Sequence, residues 1–260
     1  MSTVYFILSV ATAVVAAAFA LHVFLRWRGV TKRGRKAPYL LAWSFGLLLY
    51  GIGAVCQAIL VFTWSPFLLG LWYWTGVLMT AAWLGQGTIY LLVRRGNIAR
   101  NIGMLLILIS IMTLPWVLLL TPYTPEGWSQ GINLFSNYKS MMQTDSLRMF
   151  VGVLNAFGTI ALAGGAIYSA VLFRKKQILR NRMIGNWLIA AGALIPATSN
   201  TLIKFGLSDL NYVSLLIGIM VIFAGYLLAT QAQDEPVRAS RRWDAAKPGD
   251  PAADSPSTPR

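Results

Sequence analysis

From Phe67 to Val93 the chain carries no charged residue for 27 consecutive positions. A helix needs about 20 apolar residues to cross about 30 Å of hydrocarbon. In lipid the backbone N–H and C=O groups find no water. An isolated apolar run must therefore bond them internally, as a helix. The same reasoning applied along the chain predicts seven spans, at about 4–25, 38–62, 67–93, 102–120, 149–173, 183–203 and 212–230. The expected fold is all-α, a polytopic membrane protein with one transmembrane domain over residues 1–230. Residues 231–260 change character, with five of the eleven prolines, mixed charge and few apolar side chains. Such a composition buries too little apolar surface to order itself, so this tail is expected to be disordered.

The third span is expected to organise the others. Pro66 stands at its entry and Trp72, Tyr73 and Trp74 follow, where amphipathic rings favour the headgroup level. Gly76, Thr80, Trp83, Gly87 and Tyr90 recur at steps of four and three and share one face. Gln86 lies beside that stripe. Small residues let helices approach closely in lipid, and a Gln amide there needs an interhelical partner. Two readings of this face follow: plain helix packing, or a ligand site built from Trp83, Gln86 and Tyr90.

Charge sets the expected orientation. Of 22 basic residues, all but Lys139, Arg148 and Lys204 follow the first, third or fifth span or lie in the tail, which leaves nineteen on one side. By the positive-inside rule the N-terminus is outside and the C-terminus in the cytoplasm. The localisation implied is a plasma membrane, the inner membrane of a bacterium. The net charge of +14 is then a topology signal and an attraction for anionic lipid headgroups. No nucleic-acid partner is needed to explain it.

The carboxylates are Glu126, Asp145, Asp209, Asp234, Glu235, Asp244, Asp250 and Asp254, and none falls inside a predicted span. Proton relays and cation pathways rest on intramembrane ionisable groups, so a proton-driven pump or a carboxylate-coupled transporter is disfavoured. The one histidine, His22, has no neighbouring Cys or carboxylate with which to build an ordinary metal site. The one cysteine, Cys56, lies in an apolar run and cannot form an intramolecular disulfide. Hydrolase, nucleotide-binding and metalloprotease motifs are lacking. The chain is read as a non-enzyme without cofactor or metal.

One polar constellation remains. With the orientation above, Gln57, Asn155, and Thr198, Ser199 and Asn200 lie at one level in the outer thirds of the second, fifth and sixth spans. Pro196 just before the last group frees the Gly192 carbonyl. The longest connection, residues 121–147, would lie above them. It mixes turn residues with Ile132, Leu134, Phe135, Tyr138, Met141 and Met142, so it is expected to fold back over the bundle, as a lid or as an interfacial half-helix. These groups would either line an outward-facing vestibule for a small neutral or amphipathic ligand or bond one another across helices.

The segments LLAWSFGLLLYGIGAV and LWYWTGVLMTAAWLGQGTIYLL resemble the seven-helix membrane input module of bacterial sensor histidine kinases, and related uncharacterised stand-alone membrane proteins. The likeness covers the second and third spans. It implies a sensing role in which an enzymatic domain follows the last helix. Only the tail follows here, so output is expected to pass to a separate membrane or cytoplasmic protein partner. The sequence thus points to a non-catalytic sensing, accessory or scaffold module. The alternative is a transporter or lipid-handling protein without intramembrane charge. A closed inner half would favour the first and a polar through-path the second.

Overall fold

The computed structural model describes residues 2–93, 96–175, 180–204 and 208–246, and for residues 199–204 and 231–246 the backbone alone. Every element among them is helical: α1 Ser2–Lys32, α2 Pro38–Leu60, α3 Pro66–Leu92, α4 Ile98–Leu120, a short α5 Leu134–Met141, α6 Asp145–Lys175, α7 Arg180–Lys204 and α8 Leu210–Ala246. Six of these helices are long and apolar enough to cross a membrane: α1, α2, α3, α4, α6 and the Leu210–Thr230 part of α8. The architecture is that of a multi-pass membrane protein. The predicted sixth span corresponds to α7, which has the length but a more polar sequence. Arg180 and Arg182 open it, and Asn186, Pro196 and Thr198 interrupt its apolar run.

Residues 231–246 are not without structure but continue α8 to Ala246. The segment is poor in apolar side chains and includes Pro236, yet four Ala, three Arg and two Gln favour helix. It also extends a helix already nucleated, so it escapes the cost of starting one. Residues 247–260 lie outside the described residues.

The bundle is built around α3. It is the most buried of the six, with 61% of its most apolar stretch covered against 28% for the peripheral α4. Ser65 caps it, its hydroxyl accepting from the Leu68 N–H at 3.3 Å, and Pro66 sits where its missing N–H costs nothing. Glycines set the approach of its neighbours. A Cβ on Gly53 of α2 would stand 3.2 Å from the Gly76 Cα, and one on Gly85 would stand 2.7 Å from the Gly158 Cα of α6. A Cβ on Gly158 would collide with the backbone of Ala81. On the far side α7 and α8 are locked in the same way. A Cβ on Gly185 would meet the Gly225 carbonyl oxygen at 2.5 Å, and one on Gly192 would meet that of Gly218 at 2.8 Å. The Gly192 carbonyl, freed by Pro196, is itself what Gly218 packs on.

Three helices contain π turns: Tyr73–Met79 in α3, Trp116–Leu120 in α4 and Ile160–Gly164 in α6. The one in α4 directly follows Pro115, which supplies no N–H to the ladder. In α3 the widened turn is stitched by the Thr80 hydroxyl donating to the Thr75 carbonyl at 2.7 Å.

The glycine contacts make a direct prediction. Replacing Gly158 with Leu forces α6 off α3 and should lower stability by about 2–3 kcal/mol or more. Replacing Gly152, which has nothing within 4 Å of its added Cβ, with Ala should be neutral or raise stability by about 0.5–1 kcal/mol. Thermal unfolding in mild detergent compares the two; equal midpoints would refute the close-approach account.

Candidate functional site

The connection between α4 and α6 folds back as a strap over one end of the bundle. Its two limbs meet at an antiparallel bridge between Tyr123 and Met142, with the Thr124 N–H donating to the Met141 carbonyl at 3.0 Å. Between them α5 lies on the helix ends and fully buries Leu134 and Met141. Asn133 caps α5, its side-chain oxygen accepting from the Phe135 N–H at 3.0 Å. Gly131 adopts φ +80°, a conformation glycine takes without strain, and donates its N–H to the Val61 carbonyl at 2.8 Å. Trp128 donates to the Leu60 carbonyl at 3.0 Å. The strap is thus tied to the end of α2.

The strap also roofs the aromatic cluster of α3. Trp72, Tyr73 and Trp74 do not form the exposed interfacial belt expected from their position, because all three are buried. Trp72 meets Phe135 and Tyr138 edge-on at 5.6 and 5.8 Å, and Tyr73 lies 5.9 Å from Tyr138. Trp74 donates to the Thr113 hydroxyl of α4 at 3.1 Å.

A polar latch closes the strap onto α1 and α8. The exposed Asp209, just before α8, accepts from the Tyr5 hydroxyl of α1 at 2.5 Å and from the Asn133 side chain at 2.7 Å. Tyr5 stacks on Tyr212 at 4.5 Å, and the Tyr212 hydroxyl accepts from the Leu134 N–H at 3.3 Å. From this latch a ladder of contacts runs down the α1–α8 interface. Phe19 stacks on Phe223 at 4.5 Å and tilts on Tyr226 at 5.2 Å. His22, exposed and on the far turn of α1, is edge-on to Tyr226 at 5.9 Å. Tyr50 of α2 donates to the Leu215 carbonyl at 2.8 Å.

Of the residues expected to line a vestibule, Gln57, Asn155 and Thr198 have described side chains, and each has its own partner. Gln57 is buried and accepts from Trp72 at 3.3 Å. Asn155 donates to the Val77 carbonyl at 2.8 Å, inside the π turn of α3, and to the Val151 carbonyl at 2.9 Å. Thr198 is exposed and donates to the Ile195 carbonyl of its own helix at 2.9 Å. The side chains of Ser199 and Asn200 lie outside the described residues. Each described member serves a helix contact or its own helix. At the other end of the bundle Gln86 is fully buried and donates to the Ala99 carbonyl at 2.8 Å. Trp83 donates to the Ser110 hydroxyl at 3.2 Å, and Tyr90 lies against Gly103. Gly87 is pressed against the Trp43 ring. This face is helix packing between α2, α3 and α4, although Gln86 Oε1 is left without a hydrogen-bond partner.

Concavities open on two sides of the described residues. An apolar groove of about 400 Å³ opens between Ala13 and Ala17 of α1, Gly51 and Val55 of α2, and Leu68 and Leu71 of α3. A smaller depression of about 250 Å³ lies beside the strap, among Trp116, Thr121, Gln143, Asp145 and Ser146. No group of three or more metal-ligating side chains occurs among the described residues.

The latch is the feature sequence reasoning missed. Its members come from the first helix, the strap and the last connection, and no periodicity links them. The only signal was Asp209, the one carboxylate between Asp145 and the tail.

Hydrogen bonds from Tyr5 and Asn133 hold the Asp209 carboxyl below the usual carboxylate range, against a smaller desolvation effect. Burial pushes the Tyr123 hydroxyl up to about 12, so it stays a neutral donor. A carboxylate with a depressed folded-state pKa stabilises above its ordinary value near about 4 and loses that effect as pH falls through the folded-state value. The strap should therefore keep its latch from neutral pH down to about 4 and loosen only in stronger acid. Fluorescence of Trp128 in the strap and of Trp72 beneath it should report the change. Asp209→Asn should show the loosened signal already at neutral pH, and Tyr5→Phe should cost about 1 kcal/mol. A wild-type signal from both variants would remove the latch from the account.

In comparison with known proteins, no family model, no curated protein and no solved structure matches the chain.

Proposed function

We propose that this protein is a non-catalytic sensing or accessory module of a bacterial inner membrane. In this reading α7 is the seventh span, the N-terminus and the strap face outward, and the basic end faces the cytoplasm. The charge distribution supports that orientation through the positive-inside rule. The observation that carries the reading is the closure of the basic half. Gly87 on Trp43, Gln86 on Ala99, Trp83 on Ser110 and Tyr90 on Gly103 fill it with helix–helix contacts. Such packing favours a module that transmits over one that conducts. The strap is the receiving surface, because it is a separate covering segment, packed on the α3 aromatic cluster and tied by polar bonds to α1, α2 and α8. α8 is the transmitting element. It begins beside Asp209 and runs 37 residues, about 55 Å at 1.5 Å per residue, well beyond the hydrocarbon. Its output goes to a separate protein partner, and anionic lipid headgroups attend the basic loops.

One observation favours a second reading, lipid handling: the groove of about 400 Å³ between α1, α2 and α3 is lined by apolar side chains. Its volume falls in the range of small-molecule sites.

Hydrogen exchange in lipid nanodiscs separates the two. The double variant Tyr5→Phe, Asn133→Ala loosens the strap. Under the sensing reading, protection falls both in the strap and in residues 219–230 of α8, about tenfold for each 1.4 kcal/mol lost, while the peripheral α4 is unchanged. Loss confined to the strap would defeat the coupling. Stoichiometric co-purified lipid, lost when Gly51→Leu fills the groove, would favour lipid handling instead.

A further inference from the structure

The apolar groove is the furrow that two close packings leave open. Ala16 of α1 lies on α2 at Gly51, whose added Cβ would stand 3.7 Å from the Ala16 Cβ. α3 is drawn onto α2 where Gly53 meets Gly76. Between α1 and α3, small side chains leave space unfilled. Ala13, Gly51 and Cys56 form a buried floor, and Ala17, Val55 and Ile59 stand exposed at the sides. Leu68 and Leu71 close the α3 side, and with Cys56 they pack in the same cluster as Trp72, Phe135 and Tyr138 under the strap. Along α2 the groove extends from Leu47 to Ile59, about 18 Å at 1.5 Å per residue. Just beyond Ile59, the Leu60 carbonyl accepts from Trp128 and the Val61 carbonyl from Gly131. The groove therefore begins near the middle of the α2 span and ends where the strap is tied.

All three walls are spans, so the medium at the mouth is hydrocarbon. No lining side chain carries a charge, an amide or a hydroxyl group that could orient a polar solute. The length matches one leaflet, half of a hydrocarbon core of about 30 Å, and not the whole bilayer. A second helix, about 10 Å across, would fill on the order of 1,400 Å³ over that length. That is several times the groove's volume of about 400 Å³. A flexible hydrocarbon chain meets both limits. In the furrow it touches protein on three sides, whereas on an outer helix face it touches protein on one, and dispersion grows with the number of contacts. We propose that the groove holds one acyl chain of a membrane lipid from the leaflet on the strap side. Its carboxyl end lies toward Ile59 and its methyl end toward Leu47. The site selects a lipid by its chain and is indifferent to the headgroup, because no polar group lines it. This rests on the lipid-handling reading of the groove and needs neither the sensing role nor an assigned orientation across the membrane.

The test uses the full chain in phosphatidylcholine nanodiscs doped with phosphatidylcholine that carries a photoreactive diazirine on one acyl chain, near either its carboxyl or its methyl end. Irradiation and peptide mass spectrometry map the adducts. Leu108 and Ile111 of α4, more exposed than Val55 and Ile59, report ordinary lipid contact. Adducts in the groove should exceed those at Leu108 and Ile111 severalfold. A label near the carboxyl end should mark Val55 and Ile59, and one near the methyl end Leu47 and Leu48. Ala17→Leu, at an exposed position, fills the groove and should cut its adducts about tenfold. Ala18→Leu, exposed and outside the groove, should leave them unchanged. Phosphatidylglycerol with the same labelled chain should behave as phosphatidylcholine does. The proposal is overturned if the groove adducts do not exceed those on α4, survive Ala17→Leu, depend on the headgroup or run in the opposite depth order. Lipid measured in the purified protein separates the two levels. Stoichiometric lipid with adducts only outside the groove ends this inference and leaves lipid handling standing, whereas no retained lipid and no groove adducts ends both.

Discussion

A methyl group on Gly158 would land on the backbone of Ala81, and one on Gly85 would land on Gly158. Water-driven burial does not hold helices together in lipid, so dispersion between closely approaching backbones must do so. In this protein such approach occurs at α2–α3, α3–α6 and α7–α8. It makes α3 the centre of one group of helices and leaves α1 and α8 joined by aromatic rings instead. The division has a functional consequence. The glycine-locked part is closed and stiff, whereas the α1–α8 seam carries the latch and the aromatic ladder.

Three polar groups inside the bundle sit where a widened helix leaves a carbonyl to be satisfied or where a tryptophan needs an acceptor. Asn155 serves the π turn of α3, Gln57 serves Trp72, and Ser110 serves Trp83. A polar side chain used in this way is not available to a passing solute. Gln86 keeps its side-chain oxygen without a hydrogen-bond partner. It lies between α3 and α4, where Tyr90 and Gly103 close around it.

Much of the architecture was legible because the bilayer imposes length and apolarity on each span. The third span, the Pro66 at its entry and the packing face through Gly76 and Gly87 could all be read from the sequence. So could the folding back of the strap, since Leu134 and Met141 demand cover. Depth alone did not show the partners of the polar groups expected at the vestibule, because equal depth along helices does not fix which way a side chain turns. Gln57 and Asn155 lie at similar levels yet both turn toward α3. The latch was invisible because Tyr5 and Asp209 are 204 residues apart, and nothing local marks a tyrosine that stacks on another helix. The burial of Trp72 and Tyr73 was misread because a belt and a roofed cluster share one sequence pattern. The helical course of residues 231–246 was missed because composition reports burial better than it reports local propensity.

The account depends on the strap facing outward and the basic loops facing the cytoplasm. Single cysteines in place of the exposed Gln130 in the strap and the exposed Arg35 between α1 and α2, in a Cys56→Ser background, test this in intact cells with a membrane-impermeant maleimide. The account predicts that the Gln130 position is labelled at once and the Arg35 position only after the membrane is permeabilised. Labelling of the Arg35 position in intact cells, with the strap protected, would contradict it.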